Sequence, residues 1–577
     1  MTSSPAPVDA ETRQMQREFK AQLAAVTGGL APEDYTQAWW DWLLNISNEP
    51  EKQTSLMESA WKAATSNFEF LLKASSGEAL APEGNDPRFA GDAWKQWPFN
   101  LYAQTYQNWS SWWQQALTSV PGMSPRNVQL LDFAQRQASE LASPANYLGT
   151  NPDLLEATRA ESGQNLVRGF QNWVDDLQRT VTHQAPAGVD AFKVGEQVAV
   201  TPGKVVLRTP LMELIQYSAQ TSDVYAEPIL ITPAWIMKYY ILDLSPANSM
   251  VRYLVEKGHT VFMISWKNPN EADRNFGMDD YVKLGFRAAL DAVTAIVPDR
   301  KVHTVGYCIG GTLLSIAAAR LAAEGDTRIG TLTLLAAQTD FSEPGELSLF
   351  ISPSQIEMLE AVMHKQGVLD SEKMSGAFVL LRSRDLLWTP ALNTYVRGKR
   401  DLPNDLMAWN ADGTRMPWRM HSEYLHRLYL NNELAKGTFT LEDQPVNLGL
   451  LSMPMFVVGT ETDHVAPWRS AYKVRGLTHS SDYTFLLTTG GHNAGIVSGP
   501  AHPRRRHRLL TWHNADEQLA PDAWQRSAEL RDGSWWPTWE AWLAQHSDPQ
   551  RVGLPPLGNG QRGFAVLTDA PGEYVHG

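Results

Sequence analysis

The sequence predicts an α/β fold, with a mostly parallel central sheet, a lid or cap insertion and an N-terminal helical domain. Three observations carry that prediction. From residue 189 onward, short β-branched runs alternate with helical patterns, as strands joined by crossover helices do. Ahead of them, over residues 11–185, apolar side chains recur at three- and four-residue spacing and runs of Val and Ile are few. Between Thr339 and Leu451 the alternation lapses.

The helical domain is assigned residues 1–188 and is rich in tryptophan: Trp39, Trp40, Trp42, Trp61, Trp94, Trp97, Trp109, Trp112 and Trp113. Trp61, Ala64, Phe68, Leu71 and Leu72 mark one helix face. These aromatics are expected to form helix cores; the sharper alternative is an outward surface for a partner or an apolar polymer. Pro186 and Gly188 punctuate the boundary, and the α/β domain takes residues 189–577. Strands are expected over 204–208, 228–232, 260–266, 301–307, 328–336, 454–459 and 483–488. One crossover helix follows Leu244, with Ser245 as N-cap, Pro246 in the first turn and Gly258 past its end. A second, over 279–297, aligns Val282, Phe286, Ala289, Leu290 and Val293. The insertion, residues 340–451, holds a helix near 355–368 and the polar run Trp409–His421. An insertion of that length beside a sheet reads as a cap.

Composition narrows the function classes. With 43% hydrophobic and 10% aromatic residues, the chain is no disordered segment. Its formal charge of −14 lacks the basic excess that nucleic-acid binding needs. A single cysteine can form no internal disulfide and no CxxC zinc site, and it suits a reducing, cytoplasmic setting. No apolar run reaches the roughly 18 residues of a membrane span, and MTSSPAPVDAETRQMQ lacks the basic start and apolar centre of a signal peptide. Phosphate-loop, dinucleotide and HExxH patterns are missing, so no cofactor or metal is implied.

The chemistry concentrates in Gly306-Tyr307-Cys308-Ile309-Gly310, between a β-branched strand and a helix. This is the nucleophile-elbow pattern of an α/β-hydrolase fold, with Cys in the place of Ser. The glycines remove side chains where backbone approaches closely, and the helix N-terminus favours the thiolate. The acid and the histidine should follow in that order. Asp463 lies just past one later strand and His492 just past the next, both at carboxyl ends where such sheets collect their sites. The oxyanion donors expected are the N–H of Ile309 and one from the loop after strand 228–232, at Trp235. His464, beside Asp463, is expected to support the acid. The basic run Arg504–Arg508 is expected to be a solvated face; phosphate binding is the alternative. A thiol nucleophile suits a thioester substrate, because acyl transfer between sulfurs is nearly isoenergetic.

Several segments resemble the class I polyhydroxyalkanoate synthases: Asp86–Trp94, Ser143–Thr158, Val194–Tyr217, Lys238–Pro269, Gly306–Leu314, Trp409–Pro417, Thr462–Trp468 and Gly490–Val497. The similarity runs from about residue 85 to the end. One departure is Met237, where the family usually has Asn. The resemblance implies an acyltransferase that polymerises (R)-3-hydroxyacyl-CoA, chiefly 3-hydroxybutyryl-CoA, and releases CoA. Cys308 would be the acylated nucleophile, His492 the general base and Asp463 its partner. It also implies a homodimer in the cytoplasm, seated on polyester granules with granule-associated proteins. Two alternatives stay open on the residues alone: a Cys-dependent hydrolase (thioesterase or depolymerase) and a non-catalytic granule-binding protein.

Overall fold

The computed structural model describes residue 20, residues 31–75, 79–371, 373, 376, 379, 381–513 and 519–577. The N-terminal run read above, and the expected helical pattern over 11–30 apart from residue 20, lie outside them. The chain forms two compact units: Leu23–Ala187 with Gly376–Leu402, and Met1–Gln22 with Gly188–Ser375 and Pro403–Gly577.

The first unit is helical: α1 (Pro32–Ser47), α2 (Pro50–Ala74), α3 (Phe99–Thr118), α4 (Pro125–Ala142), α5 (Pro152–Ala160) and α6 (Gln164–Val181). Four of these open on proline, which loses nothing where the N–H has no helical partner. Asn151 caps α5 by accepting from the N–H groups of Asp153 and Leu154, at 2.9 and 3.2 Å. Phe89, Trp94, Ala103 and Tyr106 make a small core. The stripe expected to be core is not: Trp61 is 73% exposed, and Phe68, Leu71 and Leu72 face outward with it. Helix α2 buries Leu56, Phe70 and Ala74 instead. It is apolar on two faces, and the richer one is left uncovered. Residues 381–402, drawn from the long insertion, are bound into this unit. The carbonyl of Tyr395 sits where a Cβ on Gly169 would be, at 1.9 Å. Asn165 donates to Val396 O at 2.9 Å, and Arg400 bridges Asp175 and Asp176 at 2.6 and 2.8 Å.

The second unit is built on an eleven-stranded sheet. Its strands are β1 (Gly203–Arg208), β2 (Met212–Tyr217), β3 (Ile229–Thr232), β4 (Val261–Trp266), β5 (Val302–Tyr307), β6 (Ile329–Leu335), β7 (Met455–Thr460), β8 (Asp482–Thr488), β9 (Arg506–His513), β10 (Glu529–Asp532) and β11 (Thr568–Asp569). They lie in the order β10-β9-β8-β7-β6-β5-β3-β4-β2-β1-β11. The six from β4 to β8 across the centre are mutually parallel, and the outer strands are antiparallel. Central strands such as β4, β5 and β7 are buried at every residue, which is why they read as continuous apolar runs. Strands after β3 are added first on one side, at β4, and then on the other, from β5 onward, and the crevice at the carboxyl ends of β3 and β5 is where open α/β sheets hold ligands. The arrangement is an α/β-hydrolase fold.

All seven expected strands are present. The first crossover helix starts later than expected. It is α7 (Met250–Glu256), capped by Ser249, whose hydroxyl accepts from Arg252 N–H at 2.9 Å. Ser245 turns instead to the Asp405 carboxylate. Helix α8 (Ala288–Ile296) continues a helical run that begins at Met278, and α9 (Ile309–Ala323) follows the elbow. Within the insertion, α10 (Pro353–Gln366) matches the expected helix.

Candidate active site

Cys308 leaves β5 with φ 54° and ψ −129°, a left-handed backbone that L-residues avoid unless their surroundings impose it. The glycines show what imposes it. A Cβ on Gly306 would stand 2.4 Å from Gly311 Cα; one on Gly310 would stand 2.3 Å from Thr232 O and 2.5 Å from Pro233 O. The elbow is therefore pressed against the start of the loop that follows β3. Cys308 N–H completes the ladder to Leu335 O at 2.9 Å, and its carbonyl accepts from Gly311 N–H at 2.9 Å to open α9. The side chain is nearly buried at the N-cap of that helix, ahead of its leading N–H groups, those of Ile309 and Gly310, which have no intrahelical acceptor.

Asp463 and His492 meet beside it. His492 Nδ1 lies 2.8 Å from Asp463 Oδ2. The carboxylate accepts from Thr460 Oγ1 at 2.9 Å and from the N–H groups of Val465 and Ala466 at 2.9 and 2.8 Å. Burial pushes the Asp463 carboxyl up, but the His492 charge and these hydrogen bonds outweigh it and hold it below its ordinary value. Burial pushes the His492 imidazole down; the charges of Asp463 and then Cys308 overcome this and raise it well above the usual histidine value. Its other nitrogen, Nε2, is buried and faces the Cys308 sulfur, with no other partner to hold it. This arrangement can hold a proton between sulfur and imidazole and can move it to and from a bound oxygen.

The loop after β3 is braced from the insertion. Thr414 Oγ1 donates to Trp235 O at 2.8 Å, Trp409 Nε1 donates to Lys238 O at 2.8 Å, and Met237 pairs with Gly413. Trp235 itself is buried, with its ring against Trp266 and Tyr281. Ile309 is the first residue of α9. His464 stands apart from the Asp463–His492 pair, its Nδ1 4.0 Å from Glu346 Oε2. The basic run is only partly a solvated face. Arg504 and Arg506 are exposed, His507 is buried between Gly533 O and Thr538 Oγ1, and Arg505 reaches back to Ala494 O at 2.8 Å beneath the histidine loop.

Sequence reasoning missed five residues here. Thr460 supports the acid. Tyr307 and Asn493, neighbours of Cys308 and His492, are joined by a 2.6 Å hydrogen bond. Tyr424 and Tyr429 come from the insertion and pack with Phe341; burial raises both phenols, and the Cys308 charge adds to the rise. Tyr307 and Asn493 stood inside quoted patterns, so adjacency was the available signal. Nothing local marked the two insertion tyrosines.

Comparison with known proteins shows what the chain is similar to. The family described as "Poly-beta-hydroxybutyrate polymerase (PhaC) N-terminus" matches residues 85–254, and the alpha/beta hydrolase fold family matches residues 227–498. A third, "Poly-beta-hydroxybutyrate polymerase N terminal", matches residues 10–52. The poly(3-hydroxyalkanoate) polymerase subunit PhaC of Rhizobium meliloti is 36% identical, over 92% of this chain and 86% of its own length. The poly(3-hydroxyalkanoate) polymerase of Methylorubrum extorquens is 37% identical over 92% and 88%. The corresponding subunit of Cupriavidus necator is 35% identical over 86% and 84%.

Proposed function

This chain belongs to the poly(3-hydroxyalkanoate) polymerase family, and we propose that it builds polyester from short-chain (R)-3-hydroxyacyl-CoA, chiefly 3-hydroxybutyryl-CoA, through an acyl-enzyme on Cys308. The observation that carries the reading is the single cysteine of the chain, held in a strained elbow beside a buried histidine whose far nitrogen is bound to a carboxylate. His492 Nε2 takes the Cys308 proton, and the sulfur attacks the thioester carbonyl. As the C–S bond to CoA breaks, His492 returns the proton to the departing thiolate. His492 then removes the proton from the 3-hydroxyl of a monomer or chain end. That oxygen attacks the acyl-cysteine, the Cys308–acyl bond breaks, and the polyester grows by one unit. Asp463 holds Nδ1–H and supports the imidazolium formed in each half-reaction. Ile309 N–H and a donor at Trp235 would face the oxyanion; losing one such donor typically costs about 10²–10³ in rate.

Water must be kept from the acyl-cysteine. The insertion's buried Tyr424 and Phe341, with the half-buried Tyr429 packed on them, supply aromatic cover near the sulfur. The apolar faces of α2 and α6, with Trp61, Phe68, Phe170 and Trp173 exposed, suit contact with an apolar polyester granule or with a second copy of the chain. Among the described residues no helix is long and apolar enough to cross a membrane.

The test is product analysis with 3-hydroxybutyryl-CoA. Polyester formed alongside CoA supports the reading; free 3-hydroxybutyrate without polymer overturns it in favour of a thioesterase. Cys308→Ala should lose CoA release by orders of magnitude, because nucleophile and base act as a unit.

A further inference from the structure

We infer that Tyr307 is a positioning residue that holds the His492 ring against Cys308 through Asn493. The inference rests on the catalytic reading of Cys308 and His492 given above. Tyr307 is the last residue of β5, so its backbone is shared with the nucleophile. Its ring centroid lies 5.5 Å from that of His492, tilted by 31°. Its hydroxyl donates to Asn493 Oδ1 at 2.6 Å, and Asn493 is the residue after His492. One buried side chain therefore touches the base and ties down the base's neighbour.

The histidine loop has reason to need this. His492 opens a helix of only five residues, His492–Ile496, behind Gly490 at φ 111° and Gly491, and a segment so short and glycine-led has little stiffness of its own. Arg505 holds the far side of the loop at Ala494 O, and Asp463 holds Nδ1. Neither is attached to the strand that carries the sulfur. Tyr307 is, so it sets the distance between nucleophile and base. Its proton is committed to Asn493, so the hydroxyl does not serve as a donor to the substrate oxyanion.

The experiment compares the full chain with Tyr307→Phe, Asn493→Ala and the double variant. Two readouts are used: the kcat and KM of CoA release from 3-hydroxybutyryl-CoA, and the rate at which iodoacetamide alkylates Cys308 as a function of pH. Tyr307→Phe keeps the ring and removes one oxygen, so folding is preserved and thermal melting checks it. Each single variant should lower kcat about tenfold, the worth of one buried hydrogen bond, with KM unchanged. The double variant should be no slower than either, because both remove the same bond. The pH profile of alkylation should shift in all three. Wild-type kcat with an unshifted alkylation profile in Tyr307→Phe would overturn the inference, as would losses that multiply in the double variant. A wild-type chain that releases no CoA would count against the polymerase reading alone, because alkylation still reports whether Tyr307 sets the Cys–His pair.

Discussion

At the scale of single residues, the site depends on what is missing from Gly310 as much as on what Cys308 carries. The absent Cβ lets α9 start against Thr232 O and Pro233 O, and both the elbow's positive φ and the sulfur's height follow from that approach. Gly310→Ala would place a methyl group 2.3 Å from a carbonyl oxygen belonging to rigid backbone. We expect it to cost about 1–3 kcal/mol in stability, typical of overpacking. We also expect a drop in CoA release of about 10²-fold, from displacement of reacting groups. Urea unfolding and steady-state assay of the one variant measure both; wild-type activity at unchanged stability would mean the elbow is looser than its packing implies. These residues were legible in the sequence because the elbow pattern is local: Gly306, Cys308 and Gly310 fall within five consecutive residues, and Asp463 and His492 follow closely on strand ends. Trp235 was chosen by its place in a loop, and its backbone is braced by Thr414, a partner 179 residues away that no local pattern reveals.

At the scale of elements, most strands that sequence reasoning found are buried apolar runs, the partly exposed β1 being the exception, and in the missed ones charge or exposure breaks such a run. Strand β2 is fully buried but carries Glu213 and Gln216; Glu213 is matched by Arg208, so a charge interrupts what would otherwise read as an apolar run. Strand β9 starts inside the basic run, and β10 is exposed at every residue. The cap of α7 was misplaced because Ser245 and Ser249 are equally suited by type, and only the turn closed by Asn248 N–H to Ser245 O decides between them. Strand β5 also carries a titrating group. His303 is buried between Thr331 Oγ1 at 2.8 Å and Ser547 Oγ at 3.0 Å, and burial, aided by His259 and His546, pushes it down to about 3. The folded chain keeps it neutral while the unfolded chain binds a proton at the ordinary value near 6.5. Between those two values the unfolded state holds more protons, so stability is lost progressively as pH falls below 6.5. The urea midpoint should fall from neutral pH to pH about 5, with a shallower slope in His303→Gln; identical slopes for the two proteins would remove His303 from the account.

At the scale of the whole molecule there are two units: one built on the sheet, with Cys308, Asp463 and His492, and a helical one that leaves large apolar side chains in water and holds residues 381–402 of the insertion. Exposing Trp61, Phe68, Phe170 and Trp173 together costs hydration free energy that only a partner or an apolar product would recover. Changing Trp61 and Phe170 to Glu should strip the protein from polyester granules in a sedimentation assay while leaving kcat on soluble substrate within about twofold, since neither residue belongs to the sheet unit. Retention on granules would move that contact elsewhere. The proposed function turns on a covalent intermediate, with the growing acyl group on the Cys308 sulfur. Mass spectrometry of the protein quenched during turnover with 3-hydroxybutyryl-CoA tests it directly. The peptide containing Cys308 should gain the mass of one or more 3-hydroxybutyryl units, a gain absent from Cys308→Ala. Turnover that continues in Cys308→Ala, or acyl mass found only on another residue, would contradict it.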